Sequence, residues 1–100
     1  MNTLTVEVET TRIESIRTTA RELKVTFADG RAISVPLSWF PRLAHGTPKE
    51  RANWSLIGRG HGIHWPELDE DLSVECLLSG KQSGESERSF KRWLEKRAGT

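Results

Sequence analysis

Leu23-Lys24-Val25-Thr26-Phe27-Ala28-Asp29-Gly30-Arg31-Ala32-Ile33-Ser34-Val35-Pro36-Leu37 decides the fold class of this chain. Leu23, Val25 and Phe27 alternate with polar residues, and so do Ile33, Val35 and Leu37, which is the two-residue period of half-buried strands. Asp29-Gly30 between them marks a hairpin. A two-residue turn there would set Val25 opposite Ser34 and throw Ile33 and Val35 onto the other face. A three-residue loop, Ala28-Asp29-Gly30 with Gly30 left-handed in a bulge, instead pairs Val25 with Ile33 and Leu23 with Val35 on one apolar face. The three-residue loop is therefore expected. Pro36 has no amide hydrogen to give a ladder, so it marks a strand end or an edge.

Upstream, Arg12 to Thr18 carries Ile13 and Ile16 three apart beside β-favouring Thr, which predicts a strand with a bulge or a shift of face. Leu4, Val6 and Val8 alternate with Thr5, Glu7 and Glu9, as a strand or a loose polar arm would. Downstream, Ser38 is placed to cap a short helix through Leu43, with Pro41 tolerated in its first turn. Thr47-Pro48-Lys49-Glu50 is a stronger start: a Thr cap, a first-turn proline and a Glu three residues on that completes a capping box. That helix is expected to run to about Ile57 and stop at Gly58, with Trp54 and Ile57 on one side. Ile63-His64-Trp65 reads as a short strand stopped by Pro66. Ser73 caps a helix carrying Val74, Leu77 and Leu78 that Gly80 closes, Lys81 to Glu85 form a polar linker, and Ser86 to Ala98 form an amphipathic helix with a narrow apolar side of Phe90, Trp93 and Leu94. The expected fold is α+β: a three-stranded antiparallel meander plus a short extra strand, packed by short helices, with a C-terminal amphipathic helix. Residues 1–80 make the small domain, and 81–100 the linker and basic helix.

Composition narrows the function. One hundred residues with 35% apolar and 29% charged side chains, four Trp and three Phe, suit one modest core. A formal net charge of +1 gives no global field to draw in nucleic acid or an anionic membrane. The charge is uneven, because Lys81, Arg88, Lys91, Arg92, Lys96 and Arg97 outnumber Glu85, Glu87 and Glu95 in the terminal segment; a solvated helix face explains that without a ligand. Lone Cys76 lies among Val74, Leu77 and Leu78, as a small buried hydrophobe does, and cannot close an internal disulfide. No signal-like segment opens the chain and no apolar run approaches membrane-spanning length, so the cytoplasm is the expected compartment.

Gly58 to Asp71 holds the densest chemistry, with His61, His64, Glu67, Asp69, Glu70 and Asp71. A metal site needs convergent ligands; His61 and His64 are three apart in a stretch that Gly60, Gly62 and Pro66 keep from being helical, His45 is remote, and no cysteine pair completes a set. His61 as part of the turn and His64 on the outside of a strand suffice. The acids ahead of Ser73 suit the positive end of a helix, and nothing indicates the desolvated partner that a carboxylate hydrolase requires. Gly58-Arg59-Gly60-His61-Gly62 lacks the Lys-Ser/Thr ending of a phosphate loop and follows a helix rather than a strand. No catalytic residue, metal or cofactor is expected.

The run Asp29-Gly30-Arg31, Pro36-Leu37, Trp39-Phe40-Pro41-Arg42-Leu43, Arg51, Gly60, Gly62-Ile63-His64-Trp65-Pro66-Glu67-Leu68-Asp69-Glu70-Asp71-Leu72-Ser73-Val74 and Leu77-Leu78 resembles the bacterial domain of unknown function family twenty-four forty-two, over about residues 12–80. That resemblance implies a small α+β fold, found alone, fused to helix-turn-helix domains or encoded beside toxin genes. It implies no reaction and no catalytic residue. The resulting expectation is a non-enzymatic protein-binding regulator, antitoxin-like or an inhibitor of a host defence complex, possible for a mobile element. Its partner surface is expected at Glu67, Asp69, Glu70 and Asp71 and around Arg92 and Trp93, Trp93 being the tryptophan most suited to an interface. The alternative is a nucleic-acid-binding regulator that sets Arg88, Lys91, Arg92, Lys96 and Arg97 against phosphates.

Overall fold

The computed structural model describes residues 11–99; the expected strand around Leu4, Val6 and Val8 lies outside them. Strands β1 (Ile13–Thr18), β2 (Glu22–Phe27) and β3 (Ala32–Pro36) form the antiparallel meander in the order β1-β2-β3. Its register is the one the apolar pattern demands, with Leu23 opposite Val35 and Val25 opposite Ile33. Phe27 and Arg31 close the three-residue loop through a 2.8 Å backbone bond, and Gly30 takes φ +95°, open to glycine without strain. Between Ile13 and Ser15 the β1 register shifts, so that Ile13 and Ile16 are both buried despite their odd spacing.

A one-turn 3-10 helix, Leu37–Trp39, leads into α1 (Pro41–His45) and α2 (Pro48–Ala52). Ser38 caps neither; it lies inside the 3-10 turn, and Phe40 precedes α1 without a side-chain cap. Thr47 and Glu50 form both halves of the capping box. The helix they start stops at Ala52, however, five residues short of the expected end. Asn53 leaves helical geometry at φ −94°, ψ 82°, and the Arg51 carbonyl, which one more turn would have used, accepts the Trp65 indole N–H at 3.1 Å. Ser55–Ile57 are therefore a strand, β4, in place of a helical end.

Strand β4 pairs antiparallel with β5 (Gly62–Trp65), which pairs with β6 (Glu70–Ser73), so the expected lone extra strand is the centre of a second three-stranded sheet. Leu56 faces Ile63, and Ile63 faces Leu72. The β4–β5 reversal uses three successive left-handed residues, Gly58 (φ +58°), Arg59 (φ +58°) and Gly60 (φ +86°). Two glycines keep that turn affordable; Arg59 carries the strain. Ser73 then caps α3 (Val74–Ser79), accepting the Cys76 amide at 3.0 Å, and Gly80 ends it left-handed at φ +75°. After an irregular stretch, Ser86 caps α4 (Glu87–Ala98).

One core joins both sheets. Phe27, Leu23 and Val25 from the meander, Leu37, Phe40 and Leu43 from the crossing segment, and Ile63, Trp65, Leu68 and Val74 from the second half are each essentially inaccessible. At roughly 1.5–3 kcal/mol for each large apolar side chain buried, this shared cluster is the main force holding the halves together. Gly46 lets the packing close, since a Cβ there would meet the Leu68 methyls at 2.9 Å.

Candidate functional site

Two surfaces concentrate what this chain has to offer. The first is centred on Arg42, which Pro41 places in the first turn of α1 and which is largely buried. Its Nε donates to both Glu85 carboxylate oxygens, at 2.9 and 3.1 Å, and its Nη2 to Oε2 at 2.5 Å. Nη1 donates to the Asp69 carbonyl at 3.0 Å and lies 3.4 Å from the Asp69 carboxylate. The guanidinium also covers the Trp93 ring at 5.2 Å. The Arg42 charge, with Ser89 donating to Glu85 at 2.7 Å, holds the Glu85 carboxyl below its ordinary range. One arginine thus ties the 81–85 stretch and α4 to the acidic turn.

The sequence-predicted acids come together around this arginine only in part. Asp69, exposed and left-handed at φ +51°, meets Arg42. Glu70 is half-buried, and its burial pushes its carboxyl pKa up against the pull of Arg42. Asp71 and Glu67 turn elsewhere: Asp71 is bound to His64 across the β5–β6 pair at 2.5 Å, and Glu67 accepts from Asn53 at 2.8 Å. The acids are not a turn preceding a helix, since Glu70 and Asp71 belong to β6.

Trp93 is buried at 9% exposure, and the interface it makes is with the protein's own body. It stacks on Phe90 at 5.7 Å, meets the edge of His45 at 6.0 Å, and is covered by Arg97 at 4.7 Å. Arg97 is itself held by Glu50 in a two-bond pair at 2.8 and 3.0 Å, so it belongs to the docking of α4 and is no longer a member of an outward phosphate-binding set. Arg88, Lys91, Arg92 and Lys96 do face solvent. Arg92 and Lys96 border a groove of about 650 Å³ that Asp69 and Arg42 also line, so the two regions singled out in the sequence are neighbours in space.

His61 is exposed in the turn, His64 is on β5 and His45 is beside α4. Among the described residues no three His, Cys, Asp or Glu side chains converge as metal ligands would. No helix among them is long and apolar enough to cross a membrane.

The second surface was hidden in the sequence because its residues read as the end of a helix. All three residues of β4 are exposed, including Leu56 at 36% and Ile57 at 41%. Strand β4 is the outer strand of its sheet, with β5 on one side. Beside it an apolar groove of about 420 Å³ is lined by Ile57, Gly62, Leu72 and Cys76. The available signal was Ser55-Leu56-Ile57 and Ile63-His64-Trp65 flanking a glycine-rich turn, the pattern of a hairpin.

Comparison with known proteins supports the architecture. Residues 13–83 match the family described as "Protein of unknown function (DUF2442)". A crystal structure of a protein of unknown function from Rhodospirillum rubrum superposes with a TM-score of 0.68 at 23% identity, covering 77% of this chain and 95% of that one. An uncharacterised protein from Chromobacterium violaceum, solved by NMR, gives 0.63 at 20% identity over 81% of this chain and 74% of its own. At such identities the likeness is one of fold. No curated protein matches the chain.

Proposed function

The chain belongs to the DUF2442 family of proteins of unknown function, and from that premise we propose that it is a non-enzymatic protein-binding regulatory module, an antitoxin-like protein or an inhibitor of a host complex. The observation that carries this reading is β4. A sheet edge bearing two exposed large aliphatic residues beside an apolar groove is a template for chain addition, which soluble proteins ordinarily blunt with charge, proline or a covering element. The occupant that fits is an extended segment of a partner protein, its backbone pairing along β4 and an apolar side chain entering the groove. Asp69, Arg92 and Lys96 supply a mixed-charge surface for selectivity on the Arg42 side.

Ile57→Lys tests this directly, because Ile57 is exposed and the change should alter stability by no more than about 0.5 kcal/mol. Tagged wild-type protein is expected to retain a host protein that Ile57→Lys fails to retain, as read by quantitative mass spectrometry. Equal retention by both removes β4 as the surface; no specific retention by the wild type removes the protein-binding reading.

A second reading rests on Arg88, Lys91, Arg92 and Lys96, all exposed on α4. If these four contact phosphates, DNA affinity should fall with salt at a log–log slope no steeper than about −4. A mobility-shift titration showing no complex at low salt ends that reading.

A further inference from the structure

Among the described residues Arg51 is the buried charged one, at 7% exposure. Its Nη1 donates to the Leu43 carbonyl at 3.2 Å and, more closely, to the Gly46 carbonyl; its Nε is buried without an acceptor. Both contacts are neutral oxygens, so the guanidinium charge has no carboxylate counter-ion among the described residues. A buried charge left this way is costly, and an anion brought beside it would relieve the cost.

The space for one adjoins it. A cleft of about 370 Å³ opens between the β1–β2 turn and α2, with Arg51, Arg17, Thr18, Thr19, Trp54 and Ile16 among its lining residues. Among the described residues, Arg17 and Arg51 are its only charged lining side chains, and none of the described lining residues is an acid. Thr19 Oγ1 already accepts the Arg21 and Glu22 amides at 3.1 Å, which leaves its hydroxyl hydrogen to donate. Two guanidinium groups and threonine hydroxyls lining the same cleft as an indole and aliphatic side chains form a set suited to a carboxylate with an apolar body.

We propose that this cleft binds a carboxylate carried on a short apolar stem. The site is separate from β4, so it stands whether or not β4 holds a partner. Two sources share the chemistry: a free small acid, and an acidic side chain next to apolar residues in another protein.

Amide-correlation NMR on the whole chain distinguishes them, using isocaproate, its neutral amide isocaproamide, and a Leu-Glu-Leu peptide blocked at both ends. The signals to follow are the Thr18 and Thr19 amides and the Trp54 indole. Isocaproate is expected to shift them saturably, with affinity about tenfold weaker for isocaproamide and for isocaproate binding to Arg17→Gln. Arg17 is exposed, so that variant tests the site without the risk to folding that Arg51 substitutions carry. Saturation by the peptide alone assigns the carboxylate to a protein. No saturable shift with either acid, or equal binding of isocaproate and isocaproamide, overturns the proposal.

Discussion

Glu50 shows how much one side chain does here. Its own amide donates to Thr47 Oγ1 at 3.1 Å, its carboxylate accepts the Thr47 amide at 2.9 Å, and the same carboxylate holds Arg97 of α4. Arg97 first, and the Thr47 amide second, lower its pKa from 4.5 to about 2. Because the folded pKa is depressed, the stabilisation is fully present above the unfolded value and is lost as pH falls from about 4.5 towards 2. Glu50→Gln should therefore cost about 1–2 kcal/mol at neutral pH, and the gap from wild type should close near pH 2, as read from urea midpoints across pH. Glu70 has the opposite sign. Burial raises its pKa, so its ionised form disfavours the fold above that raised pKa and the penalty disappears below the unfolded one. Glu70→Gln should accordingly be more stable than wild type at neutral pH and indistinguishable from it in acid, again by urea midpoint.

Among the elements, α4 depends most on distant residues. Its twelve residues barely exceed what nucleation requires, so it needs its docking. That docking is the Arg42–Glu85 pair, the Arg97–Glu50 pair, and Phe90 with Trp93 against His45. Arg42→Ala should cost roughly 1.5–3 kcal/mol by unpairing half-buried Glu85, and should speed amide exchange in α4 well before exchange in β2. Unchanged exchange in α4 would mean that the aromatic contacts suffice alone. The same contrast explains what the sequence could and could not reveal. The hairpin, the Thr47–Glu50 box and the Ser73 and Ser86 caps are legible because each is complete within a few neighbouring residues. The end of α2 is not, since it depends on an indole 14 residues away. Nor are the partners of the candidate site: Arg42 finds Glu85 43 residues on, and Arg97 finds Glu50 47 residues back. A charged cluster is visible in a sequence, but the counter-charges that consume it are not, which is why the acids looked like a free surface and β4 looked like helix.

At the scale of the molecule, the decisive property is that neither sheet has a core of its own. Phe27 and Val25 from one sheet and Ile63 and Trp65 from the other belong to the same buried cluster, with Phe40 and Leu43 between them in sequence. The Trp65 indole bonded to the Arg51 carbonyl adds a polar tie inside that cluster, and Arg51 ties α2 to the carbonyls ending α1. Separating the sheets would expose the large side chains of both, so a half-folded species would lose stabilisation from either side at once. Unfolding should then be a single transition. Urea curves from tryptophan fluorescence, which reports mainly the second half and α4, should coincide with those from far-ultraviolet circular dichroism, which reports the whole backbone. Core truncations in either sheet, such as Val25→Ala or Ile63→Ala, should move both curves together by about 2–4 kcal/mol. If Val25→Ala shifted the dichroism curve and left the fluorescence curve in place, the two sheets would be independent folding units, and the shared cluster would be contact without cooperation.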